Sequence, residues 1–294
     1  MQATILIVSK NRKEELKYTL DVLYSMISLS VHEVLIFLDG CIDNSEALIK
    51  EYEWVKWYVS NVSIGASAAR QRLYKNAKGD ILIGLDDDAH PLHNDFIERT
   101  SKIFELYPNV GIIAYRELKG IFCGEKDIEN KLKVNKQEYY TKEFIGCGFA
   151  IRKDVYEETR GFPVWIDIYG EESCVSVEVI ENGYDILFSN RVTVNHRVDI
   201  VSRKLKRQNY FRFGKQLKNS AYYYMVYYPF PFIKIGKLFF HNFRKYGVMD
   251  FTYFKIFIKS IFEVLINIPR ILKYRKPIHK DIRSKINNIS ALKF

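Results

Sequence analysis

Short apolar runs alternate with amphipathic stretches along the first 115 residues. Apolar runs bounded by polar residues predict buried strands, and apolar residues at every third or fourth position predict helices. Alternating strands and helices favour βαβ units and a mainly parallel sheet. The predicted strands span residues 4–9, 33–39, 54–59, 80–85 and 110–114, and the predicted helices span residues 14–28, 45–53, 66–77 and 94–106.

Polar residues stand where several of these predicted strands end. The first strand runs into Ser-Lys-Asn-Arg at 9–12, the second into Asp39-Gly40, and the fourth into three aspartates at 86–88. In an open α/β sheet the carboxyl ends of the strands form the ligand crevice. We therefore expect these polar residues to converge on one site.

The region 116–200 has a weaker periodicity, but it ends in a clear pattern. Glu171 and Glu172 follow Gly170 and run into a predicted helix at 173–181, which Asn182-Gly183 ends. Predicted strands at 185–189 and 192–195 then lead to His196. Residues 1–200 are thus predicted to form one α/β domain.

Beyond residue 200 the pattern changes to long helical stretches, predicted at 203–228, 233–246 and 250–274. The charge changes as well: residues 1–196 hold 23 Lys and Arg against 31 Asp and Glu, whereas residues 197–294 hold 22 against 4. This tail, 201–294, also carries 21 of the 44 aromatic residues. A basic, aromatic surface suits anionic lipid or nucleic acid.

The tail contains no long apolar run. Its longest charge-free stretch, 219–233, has 15 residues and two prolines, whereas a helix that crosses a bilayer needs about 20 residues. Lys255, Lys259 and Arg270 stand beside Phe257 and Leu265, as in interfacial helices. We expect the tail to lie on an anionic membrane surface; a helical packing or homodimerisation module with solvated lysines is the rival interpretation.

The cysteines Cys41, Cys123, Cys147 and Cys174 are scattered and form no Cys-x-x-Cys pair, so no disulfide framework or zinc ribbon is indicated. The apolar run at the N-terminus is short and has no basic region before it, so we interpret it as a strand rather than a secretion signal. Both observations favour a cytoplasmic location.

The strongest local signal is the triplet Asp86, Asp87 and Asp88 at the end of an apolar strand. Adjacent carboxylates repel one another unless a cation or hydrogen-bond donors compensate their charge. Magnesium and manganese bind carboxylate oxygen and keep positions open for phosphate oxygens. The alternative is a solvated acidic turn before the helix that begins near Asn94.

At this point the sequence resembles the family 2 glycosyltransferases, which have the GT-A fold, over about residues 1–200. Four blocks match in order. They are the strand 5–9 with Asn11-Arg12, the segment Phe-Leu-Asp-Gly-Cys-Ile-Asp-Asn-Ser at 37–45, the stretch 61–70 with 77–80 and the acidic triplet, and Gly-Glu-Glu at 170–172 with Gly183-Tyr184 and His196.

The resemblance implies an α/β GT-A fold, a mixed and mainly parallel sheet flanked by helices, with a C-terminal helical extension. It divides the catalytic domain into a nucleotide-binding half, 1–115, and an acceptor half, 116–200. The implied activity is inverting transfer of a sugar from a UDP-, dTDP- or GDP-sugar to a hydroxyl of a polysaccharide or lipid-linked glycan. A divalent cation, Mn²⁺ or Mg²⁺, assists, at the cytoplasmic face of a membrane.

The family pattern also implies roles for individual residues. In the nucleotide pocket, Asp39 would accept hydrogen bonds from the base or ribose, Ser9 and Arg12 would line the wall, Gly65 would allow close backbone approach, and Arg70 would meet a phosphate through its planar fork. Asp88 would bind the metal directly, Asp86 would bind it from nearer the ribose, Asp87 would join the nucleotide-binding set, and His196 would complete the coordination.

An acceptor hydroxyl must lose its proton as it attacks, so the reaction needs a general base. Glu172 occupies the position of the family's aspartate, and Glu171 is its neighbour. Because Glu replaces Asp here, the choice between the two stays open. Gly146-Cys147-Gly148 and Trp165 would shape the sugar and acceptor pocket, although Trp165 could equally fill the core.

Structural roles remain open for several of these residues. Asp39 and Asp43 could cap the next helix, and His196 could be a hydrogen-bonded core histidine at a strand end. His90 and His93 follow the acidic triplet at a spacing that suits a metal, but we interpret them as turn residues.

Two other functions compete with glycosyl transfer. A sugar nucleotidyltransferase should carry a glycine-rich phosphate loop after its first strand, and residues 9–12 contain no glycine. A non-catalytic nucleic-acid-binding protein would account for the basic tail but not for the acidic crevice, so we expect no nucleic-acid partner.

Overall fold

The computed structural model describes residues 1–122, 125–133, 135–198 and 208–293. Cys123, the predicted boundary at residue 200 and the predicted helix start at residue 203 lie outside these ranges. The strands of the described part are β1 Ala3–Ser9, β2 Glu33–Asp39, β3 Lys56–Ser60, β4 Ile81–Asp86, β5 Ala89–Pro91, β6 Val110–Lys119, β7 Glu138–Thr141, β8 Gly148–Arg152 and β9 Asp185–His196.

Helices alternate with these strands and then dominate the tail. They are α1 Lys13–Met26, α2 Leu48–Glu51, α3 Ala66–Tyr74, α4 Phe96–Leu106, α5 Glu125–Leu132, α6 Lys153–Glu157, α7 Glu171–Glu181, α8 Gln208–Tyr227, α9 Pro231–Asn242, α10 Phe251–Leu272 and α11 Lys280–Asn288. A 3₁₀ turn, Ser45–Ala47, precedes α2, and a π-helical turn, Phe243–Gly247, follows α9.

The described strands form one mixed sheet in the order β3-β2-β1-β4-β8-β6-β9-β5, and β7 also pairs with β9. The first four strands are parallel, and β6 and β9 run the same way. The short strands β5, β7 and β8 run in the opposite direction. The carboxyl ends of β1, β2 and β4 therefore meet at one edge, as the sequence predicted.

Both faces of the sheet are covered. Alternate residues of a strand point to opposite faces, and β1 divides in this way: Ile5 and Ile7 share a buried cluster with Leu20 of α1, whereas Leu6 shares another with Leu73 of α3. The result is a three-layer α/β sandwich that fixes the position of each strand end. The predicted mixed sheet flanked by helices is confirmed.

The structure adds elements that the sequence pattern did not predict, namely β5, β7, β8 and the helices α5, α6 and α11. The predicted strands 185–189 and 192–195 are a single strand, β9, whose pairing with β6 shifts register between Tyr115 and Arg116. The predicted helix 233–246 ends earlier, at Asn242, and continues as the π-helical turn. Most other predicted ends differ from the observed ones by one to three residues.

The tail packs onto the catalytic domain over a third buried cluster. Tyr222 and Val226 of α8 share this cluster with Trp165, Cys174 and Val177. Polar contacts accompany it, because the Tyr227 hydroxyl donates to Glu178 Oε1 at 2.6 Å. Within the described ranges, no helix has both the length and the apolar character needed to cross a membrane.

Candidate active site

A cleft of about 1620 Å³ opens at the carboxyl ends of β1, β2 and β4. It extends between the acceptor half of the catalytic domain and the tail. Its walls include most of the site residues predicted from the sequence, namely Arg12, Asp39, Gly65, Arg70, Asp86, Asp87, Asp88, Glu171, Glu172 and His196. Ser9 is not among them. The convergence expected from the strand ends therefore occurs.

Asp39 ends β2 and organises the loop that follows β3. Its carboxylate accepts hydrogen bonds from the Ser63 hydroxyl at 2.7 Å and from the backbone N–H groups of Ile64 and Gly65 at 2.7 and 3.1 Å. It does not cap the next helix. Asp43 accepts a hydrogen bond from the backbone N–H of Ser45, the first residue of the 3₁₀ turn, but the N-cap of that turn is Asn44 and it has no side-chain cap.

Gly65 stands at a position that only glycine fits well. Its φ of +89° lies in a region that side chains disfavour, and a Cβ would stand 3.1 Å from the carbonyl oxygen of Asp167. The backbone of this loop thus approaches the 167–170 loop closely, just before α3 begins. Residues 1–115 of the domain therefore contact residues 116–200 here.

The three aspartates after β4 lie in three different environments. Asp86 is about one third exposed and pairs with Arg70 at 2.8 Å. Asp87 is buried, pairs with Arg12 at 3.3 Å and accepts a hydrogen bond from the Ser9 hydroxyl at 2.8 Å. Arginines therefore compensate the repulsion expected from the sequence, and Ser9 acts behind the wall of the cleft rather than on it.

Asp88 is the best-paired carboxylate of the triplet. It is 1% exposed, and its oxygens lie 2.6 Å from Arg12 Nη2 and 3.3 Å from His196 Nε2. Burial alone would raise the pKa of Asp88, but His196 and Arg12 outweigh burial and hold that pKa well below its usual range. Burial dominates at Asp87, where it raises the pKa of the carboxyl to about 7 despite Arg12.

His196 ends β9 and uses both ring nitrogens. Nε2 faces Asp88, and Nδ1 lies 2.5 Å from Glu117 Oε1. Burial lowers the pKa of His196, but these two carboxylates raise it to about 9 overall. His196 is thus part of the polar cleft and not a core histidine. Glu117 lies on β6, and no pattern in the sequence singled it out.

One group of side chains fits a hard divalent cation. Ligand atoms of Asp86, Asp88 and His196 all lie within 4.8 Å of one another, and two carboxylates with an imidazole form a donor set that manganese and magnesium accept. Glu117 on the far nitrogen of His196 is the arrangement that orients metal-bound histidines. A second group, Glu117, Cys147 and His196, is equally close, but burial raises the pKa of the Cys147 thiol well above its usual value.

Glu171 and Glu172 are the first two residues of α7. The turn before them is unusual, because Tyr169 and Gly170 both have positive φ, +68° and +101°. Glu171 is 2% exposed and pairs with Arg70 at 2.6 Å. Glu172 is 22% exposed, lies 3.9 Å from Arg70 and faces the cleft. Glu172 is therefore the more accessible carboxylate of the two.

Both glutamates hold protons more tightly than an exposed glutamate does. Burial is the main cause for each, and the charge of Glu172 adds to it at Glu171, whose pKa rises to about 8. Arg70 opposes this effect without overcoming it, and the pKa of Glu172 is also raised. A raised pKa near neutrality is the property that a general base needs.

Arg70 connects the acidic triplet to the two glutamates at the start of α7. Its guanidinium is 11% exposed and contacts Asp86 through one nitrogen and Glu171 through the other. Gly146 leaves space for this arrangement, since a Cβ there would stand 2.7 Å from Glu172 Oε1 and 2.9 Å from Arg70 Nη2. The fork that was predicted to meet a phosphate is already engaged by two carboxylates.

Other predicted residues lie outside the cleft. Trp165 is 5% exposed and packs in the cluster beneath the tail, so its role is that of core filler. His90 contacts Arg197 Nη1 at 2.6 Å, and His93 accepts from the backbone N–H of Thr193 at 3.4 Å. Both histidines serve the β5–β9 region, as their interpretation as structural residues implied.

The tail supplies part of the cleft that the sequence did not reveal. Phe211, Arg212 and Lys215 of α8 line it, as does Tyr169. The Arg212 guanidinium lies 4.9 Å above the Tyr169 ring. An aromatic and basic wall thus stands beside the turn that leads to Glu172.

Comparison with known proteins agrees with this geometry. The sequence matches the family model described as "Glycosyl transferase family 2" over residues 4–160, more than half of the chain. The chain belongs to this family. Membership of this family favours glycosyl transfer over the nucleotidyltransferase and the non-catalytic alternatives. A comparison with curated protein sequences finds no match.

Solved structures of glycosyltransferases share the fold of this family member. The mannosyltransferase PcManGT from Pyrobaculum calidifontis has 15% identity and a TM-score of 0.57, over 97% of this chain and 83% of its own. A fragment of S. aureus TarS has 12% identity and a TM-score of 0.61, over 94% and 83%. GalNAc-T7 has 17% identity and a TM-score of 0.53, over 67% and 44%. At these identities the fold alone is shared, and the predicted GT-A fold is confirmed.

This chain spans only part of the length of some of these proteins. It spans 44% of the GalNAc-T7 chain and 37% of a longer S. aureus TarS chain. The matched family region ends at residue 160, before Glu171, Glu172 and His196. The second wall of the cleft therefore comes from a part of the chain that the family match does not cover.

Proposed function

We propose that this family 2 glycosyltransferase transfers a sugar from a nucleotide-sugar to an acceptor hydroxyl with inversion, assisted by a divalent cation. The observation that carries the proposal is that the cation-type group, Asp86, Asp88 and His196, and the carboxylate of Glu172 line the same cleft. Arg70 contacts Asp86 of this group and Glu171, the neighbour of Glu172, and so links the two.

The donor is a nucleoside diphosphate sugar. PcManGT was solved with GDP-Man and Mn²⁺, GalNAc-T7 with UDP, GalNAc and Mn²⁺, and TarS with UDP-GlcNAc. In this chain Asp39 and the 63–65 backbone would form the base and ribose end of the cleft, and Arg12 contacts Asp87 and Asp88. Among UDP-, GDP- and dTDP-sugars, none is favoured by a contact in the cleft.

The cation, held by Asp86, Asp88 and His196, would neutralise the charge that develops on the departing diphosphate, an effect worth several kcal/mol. Ser9 and Arg12 hold Asp87 and Asp88 so that the carboxylates face the cleft. Glu117 holds the imidazole of His196 with Nε2 directed at Asp88. These contacts fix the ligands in advance.

Glu172 acts on the acceptor. Its carboxylate accepts the proton of the acceptor hydroxyl as that oxygen attacks the anomeric carbon, on the face opposite the diphosphate, and the configuration inverts. Glu171 is less suited because it is buried and paired with Arg70. Instead, Glu171 fixes Arg70 and raises the proton affinity of the pair. The acceptor hydroxyl belongs to a polysaccharide or a lipid-linked glycan.

A nucleotide panel tests the proposal. Melting temperature is measured with UDP-, GDP- and dTDP-sugars, each with Mn²⁺ and with EDTA. We expect one nucleotide class to stabilise the protein in the presence of Mn²⁺ and to release its sugar slowly to water. NMR of the methyl glycoside formed in methanol-containing buffer should show inverted configuration. Absence of binding by the whole panel, with or without metal, contradicts the donor assignment, and a retained configuration contradicts the role of Glu172.

A further inference from the structure

The outer surface of the tail is unusually apolar. Between Phe230 and Leu272, Phe232 is 76% exposed, Ile266 73% and Phe251 69%. We call the exposed apolar residues of this region the tail surface. It comprises Phe230, Phe232, Ile233, Phe240, Phe243, Val248, Met249, Phe251, Phe254, Ile258, Phe262, Leu265, Ile266 and Leu272. Monomeric soluble proteins rarely expose so large an apolar set in one region.

Helix α10 has two apolar faces, and only one is used inside the protein. Phe257 and Val264 are buried toward the rest of the tail. Phe254, Ile258 and Phe262 recur at intervals of four residues on the exposed side. This spacing places them in one row along the helix. The exposed row is therefore a second, separate face and not the margin of the core.

The tail surface is continuous between α9 and α10. The ring of Phe243, in the π-helical turn, lies 6.5 Å from the ring of Phe254, and Phe251 stacks on Phe254 at 6.4 Å. Aromatic side chains thus connect the end of α9 to the beginning of α10. The two helices present one surface.

Positive charge surrounds this surface. Residues 231–273 contain eight Lys and Arg against two acidic residues, and all eight basic residues are exposed. Lys255 lies 4.5 Å above the ring of Phe251, and Arg244 lies 5.8 Å from the ring of Phe240. Basic groups and aromatic rings therefore occupy the same face.

Both acidic residues of this segment have partners within the protein. Asp250 accepts from the backbone N–H of Thr252 and from the Tyr210 hydroxyl, both at 2.5 Å. Glu263 lies 3.3 Å from Lys218 of α8. The positive charges of the segment consequently dominate its outer field.

We propose that the tail surface binds an anionic lipid bilayer, with α9 and α10 lying along the headgroup layer. Aromatic and aliphatic side chains enter the interface, and the surrounding lysines and arginines meet lipid phosphates. A second copy of the chain fits less well, because a two-fold contact would bring the same cations face to face. Exposed aliphatic rows offer nothing specific to nucleic acid.

The same elements also reach the cleft. Leu238 and Asn242 of α9, Tyr246 of the π-helical turn and Tyr253 of α10 line it, while their neighbours form the tail surface. If the proposed glycosyl transfer holds, the acceptor end of the cleft therefore lies beside the bilayer. The substrate class that fits is a lipid-linked glycan, which brings its hydroxyl to Glu172 from the headgroup layer.

Vesicle sedimentation of the full chain tests the proposal. Vesicles of phosphatidylglycerol and phosphatidylcholine in equal parts are compared with pure phosphatidylcholine, at about 0.1 M and about 0.5 M salt. We expect binding to the anionic vesicles that weakens with salt. Phe262→Ser with Ile266→Ser should weaken it at least about tenfold, because interfacial binding scales with buried apolar area. Lys255→Gln with Lys259→Gln should weaken it to a smaller degree and reduce its salt dependence.

The matched control carries Leu29→Ser and Leu106→Ser, which remove exposed leucines from the catalytic domain. It should bind vesicles like the wild type. The proposal would be overturned if the wild type did not bind anionic vesicles, or if Phe262→Ser with Ile266→Ser bound them as strongly as the wild type does. So would light scattering that shows a dimer broken by Phe262→Ser with Ile266→Ser while lipid has no effect. Nucleotide stabilisation with Mn²⁺ is measured on each variant, so that loss of vesicle binding and failure of the proposed transfer remain separate results.

Discussion

The catalytic domain and the tail use charge in opposite ways. In the cleft of the catalytic domain several acidic side chains have a basic partner: Arg12 pairs with Asp87 and Asp88, and Arg70 pairs with Asp86 and Glu171. In the outer tail the basic side chains face solvent. Paired, largely buried charges organise a site for small charged ligands, whereas exposed basic charges in excess over acidic ones suit an extended anionic partner.

The two regions are nevertheless joined at the 167–170 loop, directly before the two glutamates of the cleft. Asn219 of α8 is 1% exposed, and its amide donates to the carbonyl oxygens of Ile168 at 2.7 Å and Tyr169 at 2.9 Å. Lys215 pairs with Asp167 in the same loop. The tail thus holds the left-handed turn that delivers Glu172. Substitutions in each region should reveal how far the two act independently.

The largest effect is expected in the cation group. Asp88→Asn removes a carboxylate ligand, so we expect turnover to fall by roughly 10⁴-fold or more and Mn²⁺ stabilisation to disappear, since charge neutralisation by the metal is worth several kcal/mol. Turnover and Mn²⁺ titration by melting temperature measure this. Asp95→Asn, at an exposed position paired with Arg99, is the control. Mn²⁺ stabilisation that survives in Asp88→Asn would contradict the metal assignment.

Glu172→Gln should come next. Loss of a general base costs about 10²- to 10⁴-fold in kcat, and donor affinity should stay unchanged because Glu172 lies on the acceptor side. Steady-state kinetics and nucleotide titration measure the two quantities. Glu171→Gln is the paired variant and should retain more activity. If Glu171→Gln proves the more damaging of the two, the base assignment is wrong.

Glu117→Gln tests whether Glu117, which contacts Nδ1 of His196, orients the imidazole. A neutral amide holds the imidazole less firmly, so we expect Mn²⁺ affinity to fall about 10- to 100-fold. Glu138→Gln is the matched control, because Glu138 is similarly buried on a neighbouring strand but pairs with Arg191. Equal Mn²⁺ affinities in both variants would show that Glu117 has no part in orienting His196.

Asn219→Ala tests the link between tail and cleft. The 167–170 loop loses two hydrogen bonds, each worth about 1 kcal/mol, so kcat should fall roughly tenfold while donor affinity holds. Hydrogen exchange at Tyr169 and Gly170 should accelerate. Asn267→Ala, which removes a bond within α10, is the control. Unchanged exchange and unchanged kcat would mean that the tail does not position Glu172.

The smallest effect concerns stability and pH. The folded-state pKa of Glu171 is raised from 4.5 to about 8, so the native state holds this proton more tightly than the unfolded chain. The resulting stabilisation is complete below about pH 4.5 and is lost as pH rises through about 8. Glu171→Gln should therefore flatten the decline in melting temperature across this interval. An identical decline in both proteins would contradict the raised pKa.

The sequence predicted the strands that carry the site because each is a long apolar run with polar residues at its end. β1, β2 and β4 are of this kind, so Asp39 and the acidic triplet could be assigned to one edge. β8 and β5 could not be predicted: β8 has five residues and begins at Gly148, the last residue of Gly-Cys-Gly, and β5 has three and includes Pro91. Such short strands depend on their neighbours rather than on their own pattern.

The sequence predicted which residues form the site better than it predicted the contacts between them. Glu117 lies where β6 becomes polar, and only pairing with β9 brings it to His196. Arg70 meets Glu171 across 101 positions of sequence, so its engagement with carboxylates depends on tertiary structure. The part of the cleft formed by α8 has no local signal at all, because aromatic and basic residues are common along the whole tail.

The hold of Asn219 and Lys215 on the 167–170 loop bears on how relatives of this enzyme could be recombined. A tail taken from another glycosyltransferase would lack the side chains that fit this loop. The carboxylate of Glu172 would then be misplaced in the cleft. We expect acceptor preference to be exchanged between relatives only when the 167–170 loop and α8 are transferred together. The unit that determines preference would then consist of residues 167–170 and α8, which are separated in the chain by α7 and β9.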